Sequence, residues 1–183
     1  MSQNAPNELE YIREFLNTWR IPNDTREAID LLQTEEDIKL FMKEYFHEEF
    51  PFHTIEELKS FREDIRAAIE GEGSLQKWLE KYPFHVHVME DMKGITYEPI
   101  HEETVYTKVL SIVLIAVQEN LWGRLKACPD CRWVFYDNSR NGSKRWCGMY
   151  AGEEGRACGT IAKVKNYRAK RKGRSGYKLY PIE

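Results

Sequence analysis

Four cysteines, Cys128, Cys131, Cys147 and Cys158, are the residues of this chain best suited to chemistry, and they are all the cysteine in its 183 residues. Their spacing is C-x2-C-x15-C-x10-C. With no leader-like segment ahead of them, such clustering reads as metal first and disulfide second. Four thiolates satisfy a tetrahedral Zn²⁺ and leave no open coordination position, so one structural zinc ion is expected and a catalytic one is not. The two-residue spacer puts Cys128 and Cys131 on one knuckle, whose turn Pro129 presets by fixing φ.

The second pair must be brought back to that knuckle. Residues 132–136 are rich in β-formers, and 144–146 are expected to pair against them around an Asn141-Gly142 turn, delivering Cys147. Trp133, Phe135 and Trp146 would cover the metal. Cys158 is expected to open a helix, where unpaired backbone N–H groups favour a thiolate. Knuckle, hairpin and helix make a treble-clef-like finger. In that helix Ile161, Val164 and Tyr167 recur at helical spacing and are expected to dock on the finger. Lys163, Lys165, Arg168, Lys170, Arg171 and Lys172 fill the rest of its circumference, and Arg140, Lys144 and Arg145 add cations from the hairpin.

The net charge of −3 conceals a sharp division. Residues 1–123 carry 12 Lys+Arg against 25 Asp+Glu, whereas 124–178 carry 15 against 4. The basic segment calls for a polyanionic partner, since cations displace the counterions condensed on a phosphate backbone. Duplex DNA is the expected partner, gripped by those nine cationic residues. An RNA-binding or protein-interaction module with a purely structural zinc site is the alternative. The opposite signs also allow the acidic region to contact and shield the basic helix, and a homodimer is a further expectation.

The region ahead of the finger supplies the scaffold. Capping boxes are read at Asn7/Glu10 and Thr54/Glu57, opening helices over 9–19 and up to about 70, where Gly71 stops the latter, and Thr34 to Asp37 starts another helix between them. A short helix follows over 74–81. Alternation in 84–90 and 95–100 predicts a β-hairpin, and 103–125 reads as a central apolar helix. Asn17 and Thr18 are expected to end the first helix by side-chain to backbone hydrogen bonds, with a ligand pocket as the alternative. His85 and His87, with His101, offer a minor metal-site reading. No Ser/His/Asp or Cys/His grouping, glycine-rich phosphate loop or HExxH motif occurs, so no enzyme is expected. The longest apolar run, 109–117, is too short to span a bilayer, and MSQNAPNELE lacks the features of a signal peptide. A cytoplasmic protein without a membrane partner is expected. The fold class is α+β, a mainly helical N-terminal domain with one β-hairpin over 1–122, a zinc finger with a basic C-terminal helix over 123–176, and a tail over 177–183.

The stretch CPDCRWVFYDNSRNGSKRWCGM, with the Lys/Arg-rich helix after Cys158, resembles the CGNR zinc finger of bacterial proteins. That resemblance implies that the four cysteines are zinc ligands and that Asp137, Ser139, Arg140, Asn141, Ser143 and Trp146 belong to the hairpin signature. FLNTW (15–19) and DLLQTEEDIKLF (30–41) resemble the helical ABATE domain that precedes this finger in a group regarded as stress-induced transcription regulators. The chain departs from the family at its naming tetrapeptide, which here reads Cys158-Gly159-Thr160-Ile161. Ten residues separate Cys147 from Cys158, more than the family places there, and the surplus lies near AGEEGR (151–156). Glu153 or Glu154 would be a weaker zinc donor than the Cys158 thiolate.

Overall fold

Threonine side chains start three of the helices. In the computed structural model, which describes residues 4–22, 24–90, 93–148 and 157–175 (backbone only at 165, 166 and 172–175), Thr34, Thr54 and Thr104 each accept the backbone N–H three residues on. They open α2 (Glu35–Tyr45), α3 (Ile55–Glu70) and α5 (Val105–Gln118). At the helix start expected at Thr34, Asp37 completes a capping box, whereas Glu57, expected to do the same for Thr54, turns its carboxylate to Tyr82 and Lys81. Gly71, at φ 76°, closes α3 in the left-handed conformation that glycine adopts without steric cost.

The first helix, α1 (Leu9–Asn17), starts differently from expectation. Asn7 sits at φ 51°, no side chain caps the helix, and Glu10 instead takes the Ala5 N–H at 2.7 Å and pairs with Arg13. Between α1 and α2, two-residue strands β1 (Trp19–Arg20) and β2 (Ile29–Asp30) pair antiparallel, a feature too short to read from periodicity. The short α4 (Gln76–Lys81) follows α3, and β3 (Phe84–Val88) and β4 (Ile95–Pro99) form the expected hairpin, with Val86 opposite Tyr97. The apolar α5 ends before the expected 125. The chain reverses at Asn120 (φ 59°), passes a 3-10 turn at Trp122–Arg124, and continues as β5 (Leu125–Ala127).

Ile12, Phe15 and Leu16 of α1, Leu58, Phe61 and Ile65 of α3, and Tyr106 and Val109 of α5 fill the helical core. Tyr106 stacks almost parallel with Trp78 and Tyr82 (8° and 10°). Two charged residues, Arg62 and Arg66, lie in α3 beside them with almost no exposure. Burial of a charge is tolerated only where its hydrogen bonds are filled. Arg62 meets Asp30 through two bonds of 2.8 Å and donates to Thr18 Oγ1 at 2.9 Å. Arg66 finds its partners further along the chain.

The finger packs directly on this core. Strand β6 (Val134–Tyr136) pairs antiparallel with β5, and its alternation divides two interiors. Val134 and Tyr136 join the helical core with Leu125, whereas Phe135 joins the sulfur cluster. Helix α6 (Cys158–Ser175) completes the described chain. The expected α+β class, a mainly helical region with a hairpin followed by a treble-clef-like finger, is the class observed. No helix among the described residues is long and apolar enough to cross a membrane.

Candidate metal centre and its basic flank

The knuckle is the turn between β5 and β6. Cys128 N–H donates to Trp133 O at 2.9 Å and Arg132 N–H donates to Cys128 O at 2.8 Å, closing the loop that carries Cys128 and Cys131. Strand β6 therefore pairs with the strand before the knuckle, not with 144–146 as its β-formers suggested. Side chains hold the returning segment. Asp137, wholly buried, accepts the N–H groups of Ser139 (2.9 Å) and Lys144 (2.8 Å) and the Lys126 ammonium (2.8 Å). Lys126 also donates to Gly142 O and Lys144 O. Burial would raise the Asp137 carboxyl, but Lys126 and those N–H groups prevail and hold it far below the usual carboxylate range. Gly142, at φ 59°, makes the expected Asn-Gly turn within this loop.

The loop returns Cys147 and α6 begins at Cys158, so the four sulfurs converge. All lie within 4.8 Å of one another, with Cys131–Cys147 at 3.5 Å and Cys147–Cys158 at 3.7 Å. A Zn–S bond near 2.3 Å implies tetrahedron edges of roughly 3.8 Å. A disulfide needs about 2.05 Å. The donor set and spacing fit a four-coordinate metal and not a cystine. Trp133, Phe135 and Trp146 pack on the cluster, as expected. Hydrogen bonds from Cys131 and Cys147 draw the Cys128 thiol down, its proximity raises those two, and burial first, then neighbouring charge, pushes Cys158 up to about 12. A bound Zn²⁺ displaces thiol protons to solvent, so metal binding is coupled to proton release. The four cysteines form a structural zinc-binding site. AGEEGR, with Glu153 and Glu154, lies outside the described residues.

The cationic flank is sorted by exposure. Arg140, Arg145, Lys163, Arg168, Lys170 and Arg171 are exposed, Lys144 is half-buried with its ammonium 5.1 Å from the Phe135 ring centroid, and the side chains of Lys165 and Lys172 lie outside the described residues. Cys158 is buried in the sulfur cluster, and Ile161 and Ala162, on the same side of the helix, are half-buried. At about 3.6 residues per turn, Lys163, Lys170 and Arg171 fall on the opposite side, whereas Arg168, two turns after Ile161, follows the line of Ile161. Val164 and Tyr167, expected to dock on the finger, are 41% and 62% exposed. Each three-residue step falls about 60° short of a full turn, so the two are carried round from Ile161 to the side away from Cys158, with Arg171 5.9 Å from the Tyr167 ring centroid.

The two regions meet at the knuckle. Asn17 Nδ2 donates to Val134 O at 2.9 Å and Asn17 Oδ1 accepts Val134 N–H at 2.8 Å. Thr18 Oγ1 caps Phe15 O at 2.6 Å, so Thr18 ends α1 as expected while Asn17 reaches across to the finger. Arg66 donates to Arg132 O at 2.7 Å, to Trp19 O at 3.2 Å and to Leu16 O, and Arg26 donates to Asp130 O at 2.8 Å. Burial pulls the Arg66 guanidinium down to about 10, still charged at neutral pH. The ion pairs that join acidic region to finger, Arg26–Asp130 and Arg132–Glu70, are on the knuckle. His87 Nε2 lies 2.9 Å from Glu98 on the exposed hairpin and is separate from the metal centre.

No curated protein matches this chain. Residues 124–171 match the family model described as CGNR zinc finger, and this segment is a zinc-finger domain of that kind.

Proposed function

We propose that this protein binds duplex DNA through its finger and acts as a transcription regulator. The observation that carries this reading is the exposed cationic face of α6, turned away from the metal centre at which the helix is rooted. A single helix is slim enough for the major groove, and its Lys and Arg side chains would neutralise phosphates along either wall. Arg140 and Arg145 would add phosphate contacts from the loop held by Asp137. Residues 1–122 would form the sensing or pairing part, an ABATE-like domain on the strength of FLNTW and DLLQTEEDIKLF, with 123–176 as the binding part. The acidic region contacts the finger at the knuckle, and Lys163, Arg168, Lys170 and Arg171 of α6 are exposed, which supports a helix able to engage its partner.

A second reading draws on Tyr167. An aromatic ring 62% exposed between cations is suited to stacking on an unpaired base, as single-stranded nucleic acids require. Selection from a random duplex pool with zinc-loaded full chain, followed by competition against single-stranded DNA and folded RNA, separates the two. A duplex consensus and weak competition are expected. Equal or better competition by RNA would transfer the function to RNA binding.

A further inference from the structure

The backbone of 130–134 has two sides. One side presents Cys131 to the sulfur cluster. From the other, the carbonyls of alternate residues Asp130, Arg132 and Val134 are each taken by a side chain of the helical region, Arg26, Arg66 and Asn17 respectively. Arg132 itself stands at φ 59°, a conformation that a non-glycine residue holds only when its surroundings enforce it. Two of the three donors cannot turn to solvent instead, because Asn17 is 2% and Arg66 0% exposed. Arg66 is also the group that ties Leu16 O and Trp19 O together at the end of α1. The same five residues thus supply one sulfur of the metal site, Cys131, and accept hydrogen bonds from Asn17 and Arg66 in the interior of the helical region.

We propose that metal occupancy of the finger controls the order of the α1–β1 junction and of α3, with Asn17, Arg26 and Arg66 as the link. Loss of the ion frees the 130–134 backbone. Asn17 and Arg66 then lack partners inside a closed core, and the helical region loosens to hydrate them. The helical region therefore reports whether the finger is loaded, independently of what α6 binds.

Hydrogen exchange read by mass spectrometry on zinc-loaded full chain, before and after chelation with EDTA, tests this directly. Amides of α1–β1 and α3 are expected to exchange about tenfold faster or more after chelation, with the β3–β4 hairpin as the reference whose exchange stays unchanged. Faster exchange confined to 125–147 would overturn the proposal. Should the whole chain unfold on chelation, the chelator-induced fall in Tm is compared in Arg26→Ala, whose side chain is part-exposed, and in Asn17→Ala. A smaller fall than in the unmodified protein is expected where the link is already cut. An equal fall in both variants would overturn the proposal.

Discussion

Asn17 and Val134, 117 residues apart, exchange two hydrogen bonds of 2.9 and 2.8 Å, so that one amide side chain does for β6 what a neighbouring strand would do. Its other edge is occupied by β5, and Asn17 closes the pairing of a strand that would otherwise present a bare donor and acceptor to the core.

Asn17→Ala leaves both backbone groups of Val134 buried without partners, and the expected cost is about 3 kcal/mol. Asn17→Asp still accepts the N–H but sets a carboxylate oxygen against the Val134 carbonyl, and it should cost at least as much. Denaturant midpoints at unchanged m-value measure both.

Metal binding is expected at one zinc per chain, with Cys131→Ser or Cys158→Ser retaining less than roughly one in ten, because three thiolates fit the site far less well than four. Elemental analysis of purified protein reads this stoichiometry, and near-ultraviolet circular dichroism of Trp133 and Trp146 reports the accompanying loss of finger packing.

Asp137 gives an acid dependence of definite sign. Its folded-state value lies below the unfolded one, so its stabilisation is complete above about pH 4 and disappears as pH falls through the folded value. Asp137→Asn leaves the Lys126 ammonium without its carboxylate and is expected to cost about 3 kcal/mol at neutral pH. The difference between the two proteins should narrow on acidification, a trend that melts recorded from pH 7 downwards would reveal. A constant difference would show that the charge on Asp137 is immaterial.

Charge and stacking on α6 separate by salt dependence. Arg168→Ala, Lys170→Ala and Arg171→Ala combined should flatten the slope of log K against log salt by about 2 to 3 on duplex DNA. Tyr167→Ala should weaken binding with the slope unchanged. Fluorescence anisotropy at several salt concentrations distinguishes them.

Arg132→Gly should be tolerated within about 1 kcal/mol, because glycine relieves a left-handed strain of similar size and the exposed Glu70 pair it removes is worth little. Arg132→Val, β-branched at the same φ, should lower Tm clearly.

The parts of the fold legible in the sequence are those set by local chemistry. Cysteine spacing identified the metal ligands, Thr34 and Thr54 marked helix starts, and Gly71 marked a stop. Pairing between distant short segments was not legible. Val134–Tyr136 has β-prone neighbours on both sides, and only closure of the knuckle selects Leu125–Ala127 over 144–146. Arg62 and Arg66 look like the wet side of α3 by type. Their spacing from Leu58 and Ile65 places them on its core side, a signal that periodicity contains but residue type obscures. The reach of Asn17 to Val134 had no sequence marker at all. Val164 and Tyr167 misled in the opposite direction, since helical spacing shows that two apolar residues share a side and not that anything covers them.

The alternation of β6 between two interiors fixes where this chain tolerates changes of length. One residue added or removed between Cys131 and Asp137 would rotate the strand by half a period, aim Phe135 at α1 and α3, and turn Val134 and Tyr136 onto the sulfurs, spoiling both interiors at once. Length added between Cys147 and Cys158, where ten residues already separate the two sulfurs, leaves that strand untouched.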